Sequence, residues 1–423
     1  MKIMRAMKAS VEELNLELGK QDHLLQSEID AALGCSVLKY QTLQAWLSSS
    51  VDPQASGVVL VTQASLDRLP RLEAQLLAWR GAASVALYVP WSDQRQETED
   101  RLNSIRDMYG RLLDAGVGGV VVSILFGNSP SEHEYNNLYP INALRNLALN
   151  TSKFCAAELV LLVDVDFLPS KALVDKCQDE EYLAAMRQMT SAGSALVVPA
   201  FEMQELDADA SHLSMEELQE LCKEGRAEGF HVTNYPKGHS PTDFERWFSS
   251  TEPYEVEYQS NYEPYVIMNV KTVPKYDERF RGYGMNKISH LYEVSRTHRL
   301  VVLPQVFIAA YEHAKSTSWE RTFGEKRDPA HAVRIAVLWG RFRQEKDSEY
   351  SDKVDRLAPA VLSWPSKRSD PTAAVQTSHA LVVSFARRRK PLRMFERSRS
   401  KLQELLASRC PRRHPTLLSA EAF

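Results

Sequence analysis

The stretch ELVLLVDVDFLPS, residues 158–170, decides how this chain is read. Leu159 to Val163 is uniformly apolar, the pattern of a strand buried on both faces of a parallel sheet. It ends abruptly in Asp164-Val165-Asp166. Alternation along a strand puts residues i and i+2 on one side, so both carboxylates are expected together at the strand's carboxyl end. In open α/β sheets that end borders the crevice where ligands bind. Two carboxylates there repel each other and call for a cation. Oxygen ligands suit Mg2+ or Mn2+, ions that bridge protein carboxylates to a diphosphate. The plain alternative is that Asp-Val-Asp caps the strand or starts a turn.

Upstream, the pattern is repetitive. VVLVTQ from Val58 predicts a strand, and SLDRLPRLEAQLLAWRG has helical periodicity that stops at Gly81. Ser84 to Pro90 is a second strand, Ser92 to about Leu113 a charged helix, and VGGVVVSILF a third strand. Strand, helix, strand, helix, strand predicts a parallel sheet covered by helices. A further helix starts near Pro140, proline being favoured in a first turn. Residues 1 to about 50 are expected to be helical, from Leu14, Leu18, Leu25, Ile29 and Leu33.

Downstream, residues 171–191 have helical character and ALVVPAFE is a strand. Residues 204–230 are acidic and expected to be helical. His231 to Tyr265 is rich in Pro, Tyr, His and Gly, a run of loops suited to an acceptor-binding half. YVIMNV and LVVLPQVFIAAY are strand-like. From Ser363 the composition turns to a linker and then a basic run, 386–400, most simply a solvated tail. The expected organisation is a helical extension at 1–56 and one catalytic domain at 57–350. That domain has a nucleotide-binding half, 57–170, and an acceptor half, 171–350. A linker and basic tail fill 351–423.

Bulk properties bound the function. A net charge of −4 makes no case for nucleic acid. Five cysteines lie in no zinc spacing, and their odd number excludes a closed set of intramolecular disulfides, leaving one or two bridges open. No apolar run approaches the about 18 residues of a membrane helix, and the first residues lack a signal-peptide core. A nucleotidyltransferase needs a glycine-rich phosphate loop after the first strand, which VTQASLDRL does not supply.

Other residues carry possible chemistry. His313 follows an apolar strand and is a candidate imidazole ligand, or else a loop residue. Lys237-Gly238-His239 is a polar turn able to hold phosphate or an acidic sugar. Arg145 and Asn146 lie on the helix before the aspartate strand, within reach of a diphosphate or sugar hydroxyls, or else in a salt bridge or cap.

At these residues the sequence resembles the LARGE-type glucuronosyltransferases, glycosyltransferase family 49. The matching segments include VTQASLDRLPRLEA (61–74), NLYPINALRNLAL (137–149), LLVDVDFLPS (161–170) and KGHSPTDFERW (237–247). YEPYVI (262–267), YDERFRGYGMNKISHLYE (276–293) and VLPQVFIAAYEHAKS (302–316) follow in the same order.

The resemblance implies a GT-A fold: a Rossmann-like, mixed, mostly parallel sheet flanked by helices, with an acceptor-binding subdomain. It implies Mn2+ (or Mg2+), a UDP-sugar donor, most simply UDP-glucuronic acid, and a glycan or glycoprotein acceptor. Transfer would proceed with inversion. Asp164, Asp166 and His313 become the metal ligands. Gln63, Asp67 and Arg68 line the uridine site, Arg145, Asn146 and Val165 face the donor, and Lys237 and His239 face donor sugar or acceptor. Inversion needs a base within hydrogen-bond reach of the acceptor hydroxyl. Asn286 stands where other GT-A families carry an acid, so the base falls to Glu263, with Asp243 and Asp277 as rivals. Family members work in the Golgi lumen, although this sequence shows no anchor; membrane association is left open. These 423 residues match one LARGE catalytic domain and not the second, so a repeating-disaccharide polymerase is not expected. In Ala310-Tyr311-Glu312-His313 the first histidine of the family pattern is missing, which bears on donor identity. A catalytically silent carbohydrate- or protein-binding relative is the competing expectation.

Overall fold

The computed structural model describes residues 39–49, 57–90, 92, 94–128, 138–156, 158–204, 210–311, 329–351, 362, 364 and 365. All belong to one unit, Leu18–Lys367. The strands are β1 (Lys39–Ser48), β2 (Val58–Ser65), β3 (Ala83–Pro90), β4 (Val120–Asn128), β5 (Leu159–Leu162), β6 (Leu168–Pro169) and β7 (Ser194–Val198). They continue with β8 (Ala200–Met203), β9 (Ala227–Gly229), β10 (Tyr254–Val256), β11 (Tyr265–Asn269), β12 (Arg299–Val302) and β13 (Ile308–Tyr311). The α-helices are α1 (Leu69–Trp79), α2 (Arg95–Asp114), α3 (Ile141–Thr151), α4 (Lys171–Lys176) and α5 (Glu180–Ser191). After them come α6 (Met215–Lys223), α7 (Pro236–His239), α8 (Phe244–Ser249), α9 (Asn286–Thr297) and α10 (Pro329–Glu349).

Among the described residues, nine strands form one sheet in the order β1-β4-β3-β2-β5-β11-β7-β12-β10. The expected β2, β3 and β4 run parallel, and β2 also pairs in parallel with β5. β11 inserts antiparallel between β5 and β7. The two expected halves therefore share one sheet, and the expected mixed α/β arrangement holds, with β1, β10 and β11 antiparallel to their neighbours. A smaller sheet, β6-β13-β8-β9, is built from strands that alternate in sequence with those of the large sheet.

Strand alternation divides the core into two layers. Val58, Leu60, Leu159 and Leu161 pack with Leu72 and Leu76 of α1, Ile105 and Met108 of α2, and Met186 of α5. Val59, Val61, Val160 and Leu162 pack with Leu144 and Leu147 of α3 and Leu291 of α9. Helices thus cover both faces of the sheet, and continuous apolar strands are the result. A third cluster, Phe280, Tyr292, Ile335, Leu338 and Phe342, fastens α10 to α9.

Several expectations are corrected. The helix expected through about residue 50 does not extend over Lys39–Ser48, which is strand β1, antiparallel to β4 at the sheet edge. Thr42, Leu43, Trp46 and Leu47 are residues that suit strands, and Trp46 and Leu47 pack on the core. Among its described residues the acidic segment 204–230 holds a 3-10 turn, Ala210–His212, and one α-helix, α6, which opens with a capping box from Ser214 and Glu217; its end, Ala227–Gly229, pairs with β8. Trp364, expected in a linker, is buried with its ring 4.9 Å from that of Tyr182. Cys155, Cys177 and Cys222 are free thiols, the first two buried.

Candidate active site

The site lies where β2 and β5 end. β11 enters the sheet from the opposite direction, so its first residue, Tyr265, arrives beside the carboxyl end of β5: Val266 pairs with Leu162 and Tyr265 with Val198. This reversal brings Glu263 and Tyr265 to Asp164 from about a hundred residues away in sequence. The amino-terminal turn of α9 adds Asn286 and Lys287. Val61, Thr62, Arg145, Asp164, Tyr265 and Lys287 line a small cleft there.

Asp-Val-Asp is a turn rather than the strand's continuation. β5 stops at Leu162, and the Phe167 amide donates to the Asp164 carbonyl at 3.2 Å. Gln75 of α1 locks the turn, donating to the carbonyls of Asp164 and Phe167 at 2.9 and 2.7 Å. The strand-alternation argument therefore does not apply. The turn gives a related outcome: Val165 is buried in the core, while the side chains of Asp164 and Asp166 are each 27% exposed. Val165 contributes an apolar anchor, not a donor contact through its side chain.

The two aspartates have different surroundings. Arg145, buried on α3, donates through Nη2 to Asp164 Oδ1 at 2.7 Å. The Tyr265 hydroxyl donates to Asp164 Oδ2 at 2.9 Å, and Lys287 Nζ stands 3.7 Å from the same oxygen. Burial works to raise the Asp164 pKa, but Arg145 and Lys287 outweigh it and hold the carboxyl well below the usual range. Asp166 Oδ1 is met by Arg68 at 2.9 Å and Arg71 at 3.2 Å, all three partly exposed. Arg71, absent from the sequence reading, is found only because α1 places it one turn after Arg68.

The third expected ligand, His313, lies outside the described residues, and among the described residues no group of three potential ligands is assembled. The two carboxylates still fit a hard divalent ion. They are ionisable oxygen donors on one turn, partly open, and an oxygen that accepts a hydrogen bond keeps a second lone pair.

Glu263 faces the same centre. Its Oε2 is 3.8 Å from Lys287 Nζ, and its amide donates to the Gly238 carbonyl at 2.9 Å. Burial raises its pKa, and Asp164 adds to this, against the opposing pull of Lys287 and Arg145. The Gly238 bond ties Glu263 to α7, where His239 is buried with its ring stacked 5.9 Å from that of Tyr265. Burial, with Lys287 and His231 nearby, keeps His239 neutral. Lys237 on the same short helix is exposed.

Other expected residues sit elsewhere or are spent on structure. Asn146 donates to the Tyr276 carbonyl at 2.9 Å and to Glu278 at 2.8 Å, and accepts from the Tyr276 amide, so it holds the 276–278 loop. Gln63 is buried and accepts from the Tyr139 hydroxyl at 3.0 Å. Asp67 has a largely exposed side chain that accepts from Ser65 Oγ and faces Arg68. Asp243 is exposed, in a left-handed conformation, and caps α8 through the Arg246 amide. Asp277 is paired with Arg279 at 2.6 Å. Both rivals to Glu263 are thus engaged away from Asp164. Asn286 accepts from Arg145 at 3.1 Å and donates to the Gly282 carbonyl, bracing the guanidinium. Lys287 reaches the same centre, although the sequence reading did not single it out.

Residues 120–314 match the family model described as "Glycosyl-transferase for dystroglycan". The chain is 33% identical over 319 residues to human "Xylosyl- and glucuronyltransferase LARGE2", covering 73% of this chain and 40% of that protein. It is 32% identical over 301 residues to "Glycosyltransferase-like protein gnt14" of Dictyostelium discoideum, covering 71% and 43%. Human LARGE1 is 29% identical over 314 residues, covering 74% and 38%. The chain thus spans less than half the length of these relatives. Among solved structures, "GalNAc-T7 with UDP, GalNAc and Mn2+" is similar at 10% identity and a TM-score of 0.35, over 71% of this chain and 53% of that one.

Proposed function

From its membership among the LARGE-type chains of glycosyltransferase family 49, we propose that this protein is a metal-dependent, inverting glycosyltransferase that moves a uronic acid, glucuronic acid foremost, from a UDP-sugar to a glycan hydroxyl. The observation that carries the proposal is the meeting of three groups from distant segments. The ionised Asp164 and the half-buried Glu263 stand 3.7 and 3.8 Å from one ammonium, Lys287, at the carboxyl end of a parallel strand. A capping or turn motif needs none of this convergence.

The chain's own residues account for the steps. Asp164 and Asp166, with His313, would hold a divalent ion, which supplies neutralisation of the diphosphate's charge. Arg145 and Asn286 fix Asp164 in orientation. Arg68 and Arg71, partly exposed on α1 and the turn before it, can exchange Asp166 for phosphate oxygens. Glu263 takes the proton of the acceptor hydroxyl as its oxygen bonds to the anomeric carbon, and the bond to UDP breaks with its electron pair leaving on the diphosphate. A carboxylate whose pKa is raised toward neutrality suits that task. By the same family reading the setting is the Golgi lumen. Among the described residues no helix is long and apolar enough to cross a membrane.

The test is hydrolysis and transfer with UDP-glucuronic acid, with and without Mn2+. Glu263→Gln should lower the transfer rate by about 100-fold or more, with UDP affinity unchanged. Full turnover in that variant would remove Glu263 from the mechanism, and UDP-sugar turnover by no wild-type preparation would leave only the fold.

A further inference from the structure

Four cations surround the aspartate turn, and they fall into two sets. Arg68 and Arg71 meet Asp166 from the exposed side. Arg145 and Lys287 meet Asp164 from the buried side. Three of the four guanidinium or ammonium groups lie within 3.2 Å of a carboxylate oxygen. Arg68 and Arg71 lie 2.9 and 3.2 Å from Asp166. Arg145 bonds to Asp164, Asn142 and Asn286 at 2.7, 3.2 and 3.1 Å.

Lys287 is different. The residue is 8% exposed, yet its nearest carboxylate oxygens are at 3.7 and 3.8 Å, beyond hydrogen-bond length. Among the described residues none accepts a hydrogen bond from it. The face of Tyr265, 3.8 Å from Nζ, steadies its charge without using a proton. Asp164 takes its hydrogen bonds from Arg145 and Tyr265, and Lys287 acts on it through charge alone. An ammonium held beside two carboxylates by charge alone, with no hydrogen bond made to either, keeps its donors for a ligand.

Its place at a helix start favours an anion, beside the two carboxylates it already faces. Lys287 is the second residue of α9, a 12-residue helix whose cap residue, Met285, provides no side-chain acceptor for the first amides. The ammonium lies 3.7 Å from Asp164 and 3.8 Å from Glu263, which the proposed mechanism assigns to the diphosphate and to the attacking hydroxyl. A sugar ring transferred between the two must pass alongside it, whereas Arg68 and Arg71 stand on the other aspartate, where phosphate would sit.

Resting on the reading of the site as a UDP-sugar transferase, we propose that Lys287 is the residue that selects a uronic acid donor, its ammonium taking the sugar's carboxylate. A neutral hexose leaves the ammonium unsatisfied and is bound less well.

The experiment is calorimetric binding of UDP, UDP-glucuronic acid and UDP-glucose to the full chain with Mn2+, in wild type, Lys287→Met and Lys287→Arg. A hydrogen bond to a charged group is worth about tenfold to a hundredfold in affinity, so wild type should favour UDP-glucuronic acid over UDP-glucose by that factor. Lys287→Met should bring the ratio to about one while UDP itself binds within threefold of wild type. Lys287→Arg should keep part of the preference. Retained UDP binding also reports that each variant is folded. An equal loss for UDP would assign Lys287 to the diphosphate and overturn the proposal, as would a wild type that binds UDP but shows no preference. A wild type that binds no uridine nucleotide would instead overturn the transferase reading on which the proposal stands.

Discussion

Arg145→Met tests the electrostatic frame of the site directly. The guanidinium is buried, 2.7 Å from Asp164 Oδ1, with further bonds to Asn142 and Asn286 and the Tyr276 ring 5.2 Å from its carbon. Breaking a buried ion pair by removing one partner costs about 3–5 kcal/mol, because the other charge is left uncompensated. Here Tyr265 still donates to Asp164 and Lys287 remains at 3.7 Å, so the lower end applies, about 3 kcal/mol. Arg145→Lys keeps the charge without the planar fork and should lose about 1–2 kcal/mol.

The assay is equilibrium unfolding in urea at pH 7, followed by far-UV circular dichroism, repeated with Mn2+. Asp164 has a depressed folded-state pKa, so the stability it contributes is present above its unfolded value and is lost only as pH falls through the folded value. The gap between wild type and Arg145→Met should therefore be flat from about pH 5 to 8 and close only in acid, below about pH 4. If Asp164 is a metal ligand, Mn2+ should stabilise Arg145→Met more than wild type, since it replaces the missing cation. A loss under about 1 kcal/mol, or one equal in Arg145→Lys, would refute the claim that a buried fork-shaped pair orients Asp164.

Asp166→Asn should abolish Mn2+-dependent turnover in a UDP-sugar hydrolysis assay while shifting stability by no more than about 1 kcal/mol, because its pairs with Arg68 and Arg71 are partly exposed. Undiminished turnover would rule it out as a ligand. His290 is buried against Tyr276, ring centroids 3.8 Å apart, and burial lowers its pKa to about 3. A histidine held neutral in the fold takes up a proton first in the unfolded chain, so stability falls as pH drops below about 6.5. Between pH 7.5 and 5 that share amounts to about 2 kcal/mol, which His290→Asn should remove from a pH series of urea melts. An unchanged slope would mean another group titrates.

The parallel half of the sheet was legible because its strands are buried on both faces and its helices have a strong period: Val58–Ser65, Ala83–Pro90 and Val120–Asn128 stand close to where the apolar runs placed them. β1 was missed because a helical spacing read from Leu14 to Leu33 was carried on to about residue 50, and its strand conformation is supported by pairing with β4, a partner some eighty residues on. The aspartates were legible as chemistry but for an incomplete reason. Their common outlook comes from a turn locked by Gln75, a contact no local pattern announces. Asn146 and Asp243 look like ligand groups in sequence, yet one holds the 276–278 loop and the other caps α8, roles set by backbone amides. The converse holds for Lys287. Nothing in a lysine after Gly-Met-Asn marks it, and its meaning arises only when an antiparallel strand carries Glu263 and Tyr265 back to the aspartate turn. Patterns of apolar residues determine which segments become neighbours in the core. The charged residues at their ends gain their roles from the sheet order, and a reversed strand beside a parallel one is what turns two separate ends into one site.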